Sequence, residues 1–124
     1  MNPFLRFLTL ALLLSPLSLM AQSPVGSWKL PVPDGSGNMI TLKVDISAEG
    51  TFTLDVGADG NIETKGKYTM DGAKMTIQET EGTECTGVGV YTIKIEGDTM
   101  TMTRISDACT DRGGPEGVMV LKKG

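Results

Sequence analysis

The feature that most restricts what this chain can fold into is an alternation of apolar and polar residues. It has a period of two and is broken every eight to twelve residues by Gly with Asp, Asn or Glu. Side chains on a strand point to opposite faces in turn, so the pattern describes half-buried strands joined by tight turns, an antiparallel meander. Ile40, Leu42, Val44 and Ile46 share one face against Thr41, Lys43 and Asp45, and Glu49-Gly50 turns the chain. Phe52, Leu54 and Val56 repeat the pattern, and Asp59-Gly60-Asn61 turns it again. Ile62 to Met70 runs back, and Asp71-Gly72 predicts a type I′ hairpin, whose two central residues both need positive φ. Met75 and Ile77 follow, residues 79–87 read as a polar loop, and Val88 to Ile95 and Thr99 to Arg104 are the next strands. A long loop over Ser106 to Gly117 leads to a last strand, Val118 to Leu121. With Trp28-Lys29-Leu30 at the start, the chain is predicted to be all-β. The expected form is an antiparallel up-and-down barrel of about eight strands, since closure removes exposed sheet edges.

The first residues do not fit that pattern. Arg6 is followed by the apolar run Phe7 to Leu14, and the stretch continues to Ala21, a small residue suited to a signal peptidase. Pro16 interrupts the run, which is short for the roughly 20 apolar residues that a membrane-spanning helix needs. Residues 1–21 are therefore expected to be a cleaved signal peptide and residues 22–124 the working domain, secreted or periplasmic, with no membrane anchor after cleavage.

Without Arg6 the domain carries ten basic and fifteen acidic residues, a formal charge of −5. Its lysines stand singly among acidic neighbours except Lys122-Lys123, so a nucleic-acid partner, which relies on clustered cations, is not expected. Cys85 and Cys109 are the only cysteines, and in an oxidising compartment such an isolated pair reads as a disulfide. The chain has no histidine, which leaves the common zinc and copper sites without ligands, and no metal or cofactor is expected.

Gly26-Ser27-Trp28 ahead of an eight-strand meander, with Gly66 to Gly72, Gly97 to Met102 and Asp107 to Arg112, resembles the small secreted lipocalin-like (calycin) domains of bacteria. The resemblance covers most of the chain after the signal. It implies a barrel whose floor is closed by Trp28, with a basic side chain packed over the ring. Arg112 is the first candidate for that contact and Arg104 the second. The chain lacks the C-terminal helix of full-length lipocalins and the helical lid of fatty-acid binding proteins.

Candidate ligand-binding residues are those of the inward strand faces, above all Phe52, Leu54, Tyr68, Met75, Tyr91, Met100 and Met102, with Leu42, Ile77 and Ile93 beside them. An eight-stranded barrel is either filled by its own side chains or able to hold one small ligand, and both readings stand at this point. Arg104 has the parity of Met100 and Met102, and an inward guanidinium needs an anion or a ligand carboxylate. Asp55 to Glu63 has the oxygen spacing of part of a calcium loop, but Gly57 takes one ligand place and Gly66 the place of the terminal Glu, so a plain turn explains it better. For catalysis the chain offers little beyond carboxylate pairs such as Asp107 and Asp111, which are expected to order a loop near Cys109 rather than move protons. The expected function is a non-catalytic binding module for a small apolar ligand. The alternative is a filled barrel that acts through its surface as a protein-binding, inhibitor or envelope component.

Overall fold

The computed structural model describes residues 23–110 and 112–124, so the expected signal peptide and Asp111 lie outside the described residues. Eight strands follow one another: β1 (Gly26–Pro33), β2 (Met39–Ile46), β3 (Thr51–Val56), β4 (Thr64–Asp71), β5 (Lys74–Glu81), β6 (Val88–Glu96), β7 (Thr99–Asp107) and β8 (Val118–Lys123). Each pairs antiparallel with the next and β8 returns to β1, which closes the barrel. No helix occurs among the described residues. The alternation does what the sequence requires: Trp28, Val44, Ile46, Phe52, Met75, Ile77, Tyr91, Ile93, Met100, Met102 and Leu121 form one buried cluster inside the barrel. An apolar interior is the reverse of a lipid-embedded barrel, which turns its apolar face outward.

The two ends differ in their connections. One end carries the short turns 47–50, 72–73 and 97–98 together with the start of β1 and the end of β8. The other carries the longer segments 34–38, 57–63, 82–87 and 108–117. The β4–β5 turn departs from the expected type I′ geometry by one residue. Asp71 pairs with Lys74, so the loop is Gly72-Ala73, and of the two only Gly72 has positive φ, at 62°. That is the requirement of a type II′ turn, with Gly at the first central position, and Gly97-Asp98 between Glu96 and Thr99 repeats it. Asp71 stays in the strand because its pairing with Lys74 continues the ladder.

The closing seam is the shortest ladder. β1 and β8 register only as Trp28 with Lys123 and Lys29 with Lys122, and Gly124 N–H donates to the Ser27 carbonyl. Continuing that register would set Pro31 opposite Val120 and Pro33 opposite Val118. Proline has no N–H to donate, so the ladder stops where the sequence places it.

Candidate functional site

The barrel interior is not filled along its whole length. A cavity of about 260 Å³ is walled by Leu30, Val32, Leu42, Val44, Phe52, Leu54, Tyr68, Met75, Ile77, Met102, Met119 and Leu121, with Ile46 and Gly113. Its polar side chains besides the Tyr68 phenol are Glu79 and Arg112. The volume lies just under the roughly 300–1,000 Å³ of pockets for drug-sized ligands. Leu30 and Val32 on β1 and Met119 and Leu121 on β8 bring the cavity to the short-laddered seam.

Next to the cavity, at the end with the long loops, lies a buried polar cluster. A one-residue bulge in β7 creates it: Tyr91 pairs with Arg104 but Val90 pairs with Ser106, so Ile105 is the extra residue and is 55% exposed. The bulge re-phases the strand, and Asp107 joins Arg104 on the inward side despite its odd spacing. Asp107 pairs with Gly89, where an added Cβ would stand 2.6 Å from its carboxylate, so only glycine leaves it room. The Asp107 side chain is 1% exposed.

The β7–β8 loop then folds back on this carboxylate. Cys109 N–H donates to Asp107 Oδ1 at 2.8 Å. Arg112 donates through Nε to Asp107 Oδ2 at 2.8 Å and through Nη2 to Oδ1 at 2.7 Å, a bidentate pair. Its Nη1 donates to Glu79 Oε2 at 3.0 Å and its Nη2 to the Gly87 carbonyl at 2.6 Å. The Tyr91 hydroxyl donates to Asp107 Oδ2. Burial pushes the Asp107 carboxyl up, but the hydrogen bonds from Arg112, Tyr91 and Cys109 outweigh it and hold the group below its ordinary range. Burial and then the Asp107 carboxylate drive the Tyr91 phenol well above its ordinary value. The hydrogen bond to Asp107, opposed by burial and helped by Glu79, raises the Arg112 guanidinium further. All three therefore keep their neutral-pH protonation states, and the cluster works as a fixed brace. The Cys85–Cys109 disulfide, with Cα atoms 6.0 Å apart, ties the same loop to the β5–β6 loop.

Of the residues singled out by sequence, Phe52, Leu54, Tyr68, Met75 and Met102 line the cavity, with Leu42 and Ile77. Four others do not. Ile93 is buried in the core but is not part of the cavity wall. Met100 is fully buried but lies off the cavity, and Tyr91 turns its hydroxyl into the polar cluster. Arg104 does face inward, yet it finds carbonyls rather than an anion: Nη1 donates to the Arg112 and Gly114 oxygens, at 3.1 and 3.2 Å. Trp28 is fully buried at the end with the short turns, its indole N–H bonded to the Pro24 carbonyl at 2.8 Å. The cation over its ring is Lys123, with Nζ 4.9 Å from the centroid, and not Arg112 or Arg104. The reason is register: β8 pairs Lys123 with Trp28, whereas both arginines belong to the opposite end.

Glu79 escaped the sequence reading, although a signal was there. Continuing Met75 and Ile77 by two residues gives Glu79 the inward parity, and β5 does run on to Glu81 instead of breaking at residue 79. The expected part of Asp107 in ordering the loop at Cys109 is met by the Cys109 N–H, but its place inside the barrel had no such signal, because the bulge that turns it inward leaves no mark in the pattern. In the Asp55 to Glu63 segment, carboxylate oxygens of Asp55, Asp59 and Glu63 lie within 4.8 Å of one another. Asp55 is buried and accepts from the Asp59 and Gly60 N–H groups, Asp59 from Asn61, and Glu63 from Val56. These bonds account for the carboxylates as makers of the β3–β4 turn.

Neither the scan against protein-family models nor the searches of curated proteins and of solved structures return a match. The architecture is compatible with a lipocalin-like barrel, and the disulfide is consistent with a place outside the cytoplasm.

Proposed function

We propose that this protein is a secreted or periplasmic, non-enzymatic binding module of lipocalin-like type that takes one small apolar ligand inside its barrel. The observation that carries the reading is the cavity of about 260 Å³, walled by aliphatic, aromatic and methionine side chains with a single charged pair at one end. That composition, mostly apolar with a few convergent polar groups, is the usual make-up of a small-molecule site. Met75, Met102 and Met119 add adaptable walls, since an unbranched thioether fits itself to irregular shapes.

The test is titration with an apolar fluorescent dye, followed by Leu54→Trp, which fills the cavity from its wall. The expected result is saturable dye binding that Leu54→Trp weakens by at least about tenfold while the circular dichroism spectrum is kept. No dye binding, or equal binding by the variant, defeats the proposal. A second reading, action through the outer surface, draws on Val118 and Val120, each 48% exposed on the outward side of β8. It is the reading that remains if the dye fails.

A further inference from the structure

We propose that the ligand carries an uncharged head group that both donates and accepts a hydrogen bond, an alcohol or a primary amide, and that the site rejects carboxylates and ammonium ions. The inference rests on reading the cavity as the binding site and concerns the polar end of it.

Charge at the polar end is balanced. The cluster holds two guanidiniums, Arg104 and Arg112, and two carboxylates, Asp107 and Glu79. Those of Arg112, Asp107 and Glu79 are 11%, 1% and 14% exposed. Asp107 accepts from both Nε and Nη2 of Arg112 and is spent on it. A ligand carboxylate entering here would meet a cation already neutralised and would lie near Glu79. An ammonium would meet Glu79 already paired with the Arg112 guanidinium. Either charge loses hydration without gaining a counter-ion.

Hydrogen-bonding capacity is left over at the same end. A guanidinium has five N–H donors. Arg112 places four of them: Nε on Asp107, Nη1 on Glu79, and the two of Nη2 on Asp107 and Gly87. Among the described residues, one Nη1 hydrogen is left without a protein acceptor. Glu79 accepts from Arg112 through Oε2, and Oε1 has no protein donor among the described residues. Both side chains line the cavity. One spare donor beside one spare acceptor suits a hydroxyl or an amide, which can accept from Nη1 and donate to Oε1. The apolar walls then require the rest of the ligand to be hydrocarbon, and the cavity volume limits it to a short chain or a small ring system.

The experiment compares 1-octanol, octanoate and octylamine by isothermal titration at neutral pH, against the protein with its disulfide intact. The expected result is that octanol binds and that the two charged analogues bind at least about tenfold more weakly, the scale of leaving a partly buried charge without a partner. Glu79→Gln keeps an acceptor for Arg112 but leaves the cluster one positive charge in excess, so it should move octanoate ahead of octanol. Octanoate or octylamine matching octanol in the native protein overturns the head-group inference while leaving the cavity reading intact. Failure of all three to bind overturns both. Should Glu79→Gln not fold, the native ranking alone decides.

Discussion

The two ends of this barrel are held by different physics. At the end with the short turns, Trp28, Met100 and Leu121 are packed to near-zero exposure, and the walls of the cavity described above do not include Trp28 or Met100. At the other end, order comes from directional bonds: the Arg112 fork on Asp107, its reach to Glu79 and Gly87, the Arg104 contacts to the loop, and the disulfide. Apolar packing gains by excluding space, whereas a braced polar cluster can hold two loops in place with room left beside it. The cavity runs from Ile46, Phe52 and Met75 near the short turns to Glu79, Arg112 and Gly113 at the braced end, and at that end its lining is held by directional bonds rather than by the close packing found around Trp28.

The largest test of that contrast is Arg112→Ala. Removing the cation leaves Asp107 buried without its partner, and such a break costs about 3–5 kcal/mol, read by urea denaturation. Arg112→Lys should not restore the loss, because a point charge cannot reach two oxygens of Asp107, Glu79 and the Gly87 carbonyl together. A cost under about 1 kcal/mol, the scale of an exposed ion pair, would mean that the loops are held by something other than the cluster. Replacing both Cys85 and Cys109 by Ser comes next. Releasing a link across a separation of 24 residues should cost about 3 kcal/mol through the freed unfolded chain. Hydrogen exchange should rise first in residues 82–87 and 108–117 and last near Trp28. Uniform loosening would mean that the two ends are held in the same way.

Acid should separate the ends without any mutation. The Asp107 carboxyl is held below the ordinary aspartate value of about 3.9. For a depressed group, stability is present above the unfolded value and is lost as pH falls through the native one. Denaturation midpoints should therefore fall below about pH 4, and Arg112→Ala should flatten that fall, since the depression depends on its hydrogen bonds. An equally steep acid profile in the variant would assign the pH dependence to other carboxylates.

How much of this was legible before folding follows the same division. Local period and turn chemistry reveal the strands, and inward parity gives Phe52, Leu54, Met75 and Met102 their places in the cavity wall. The cysteine pair is readable because nothing else in the sequence competes for either thiol. The polar cluster is not readable, because it depends on two events that composition does not mark. One is the bulge at Ile105, which turns Asp107 inward; the other is the fold-back that carries Arg112 to a residue five positions earlier. Glu79 lies between these cases: its parity is visible, but its polar neighbours Gln78 and Thr80 disguise the strand as a loop.

The smallest effect belongs to Lys123, and it tests the packed end from its rim. Lys123 Nζ stands over the Trp28 ring 4.9 Å from the centroid, but the residue is exposed, so water and salt weaken the attraction. Lys123→Met keeps a long apolar stem over the indole and removes only the charge, which isolates the cation–π term from packing. The expected loss is about 0.5–1 kcal/mol, shrinking as salt is raised and restored by Lys123→Arg. Since Trp28 is the only tryptophan, its fluorescence reports the same contact directly and should shift in the methionine variant alone. A loss equal in both substitutions would assign the effect to the fit of the lysine stem. That end of the barrel would then owe nothing to charge, which is the contrast with the braced end in its sharpest form.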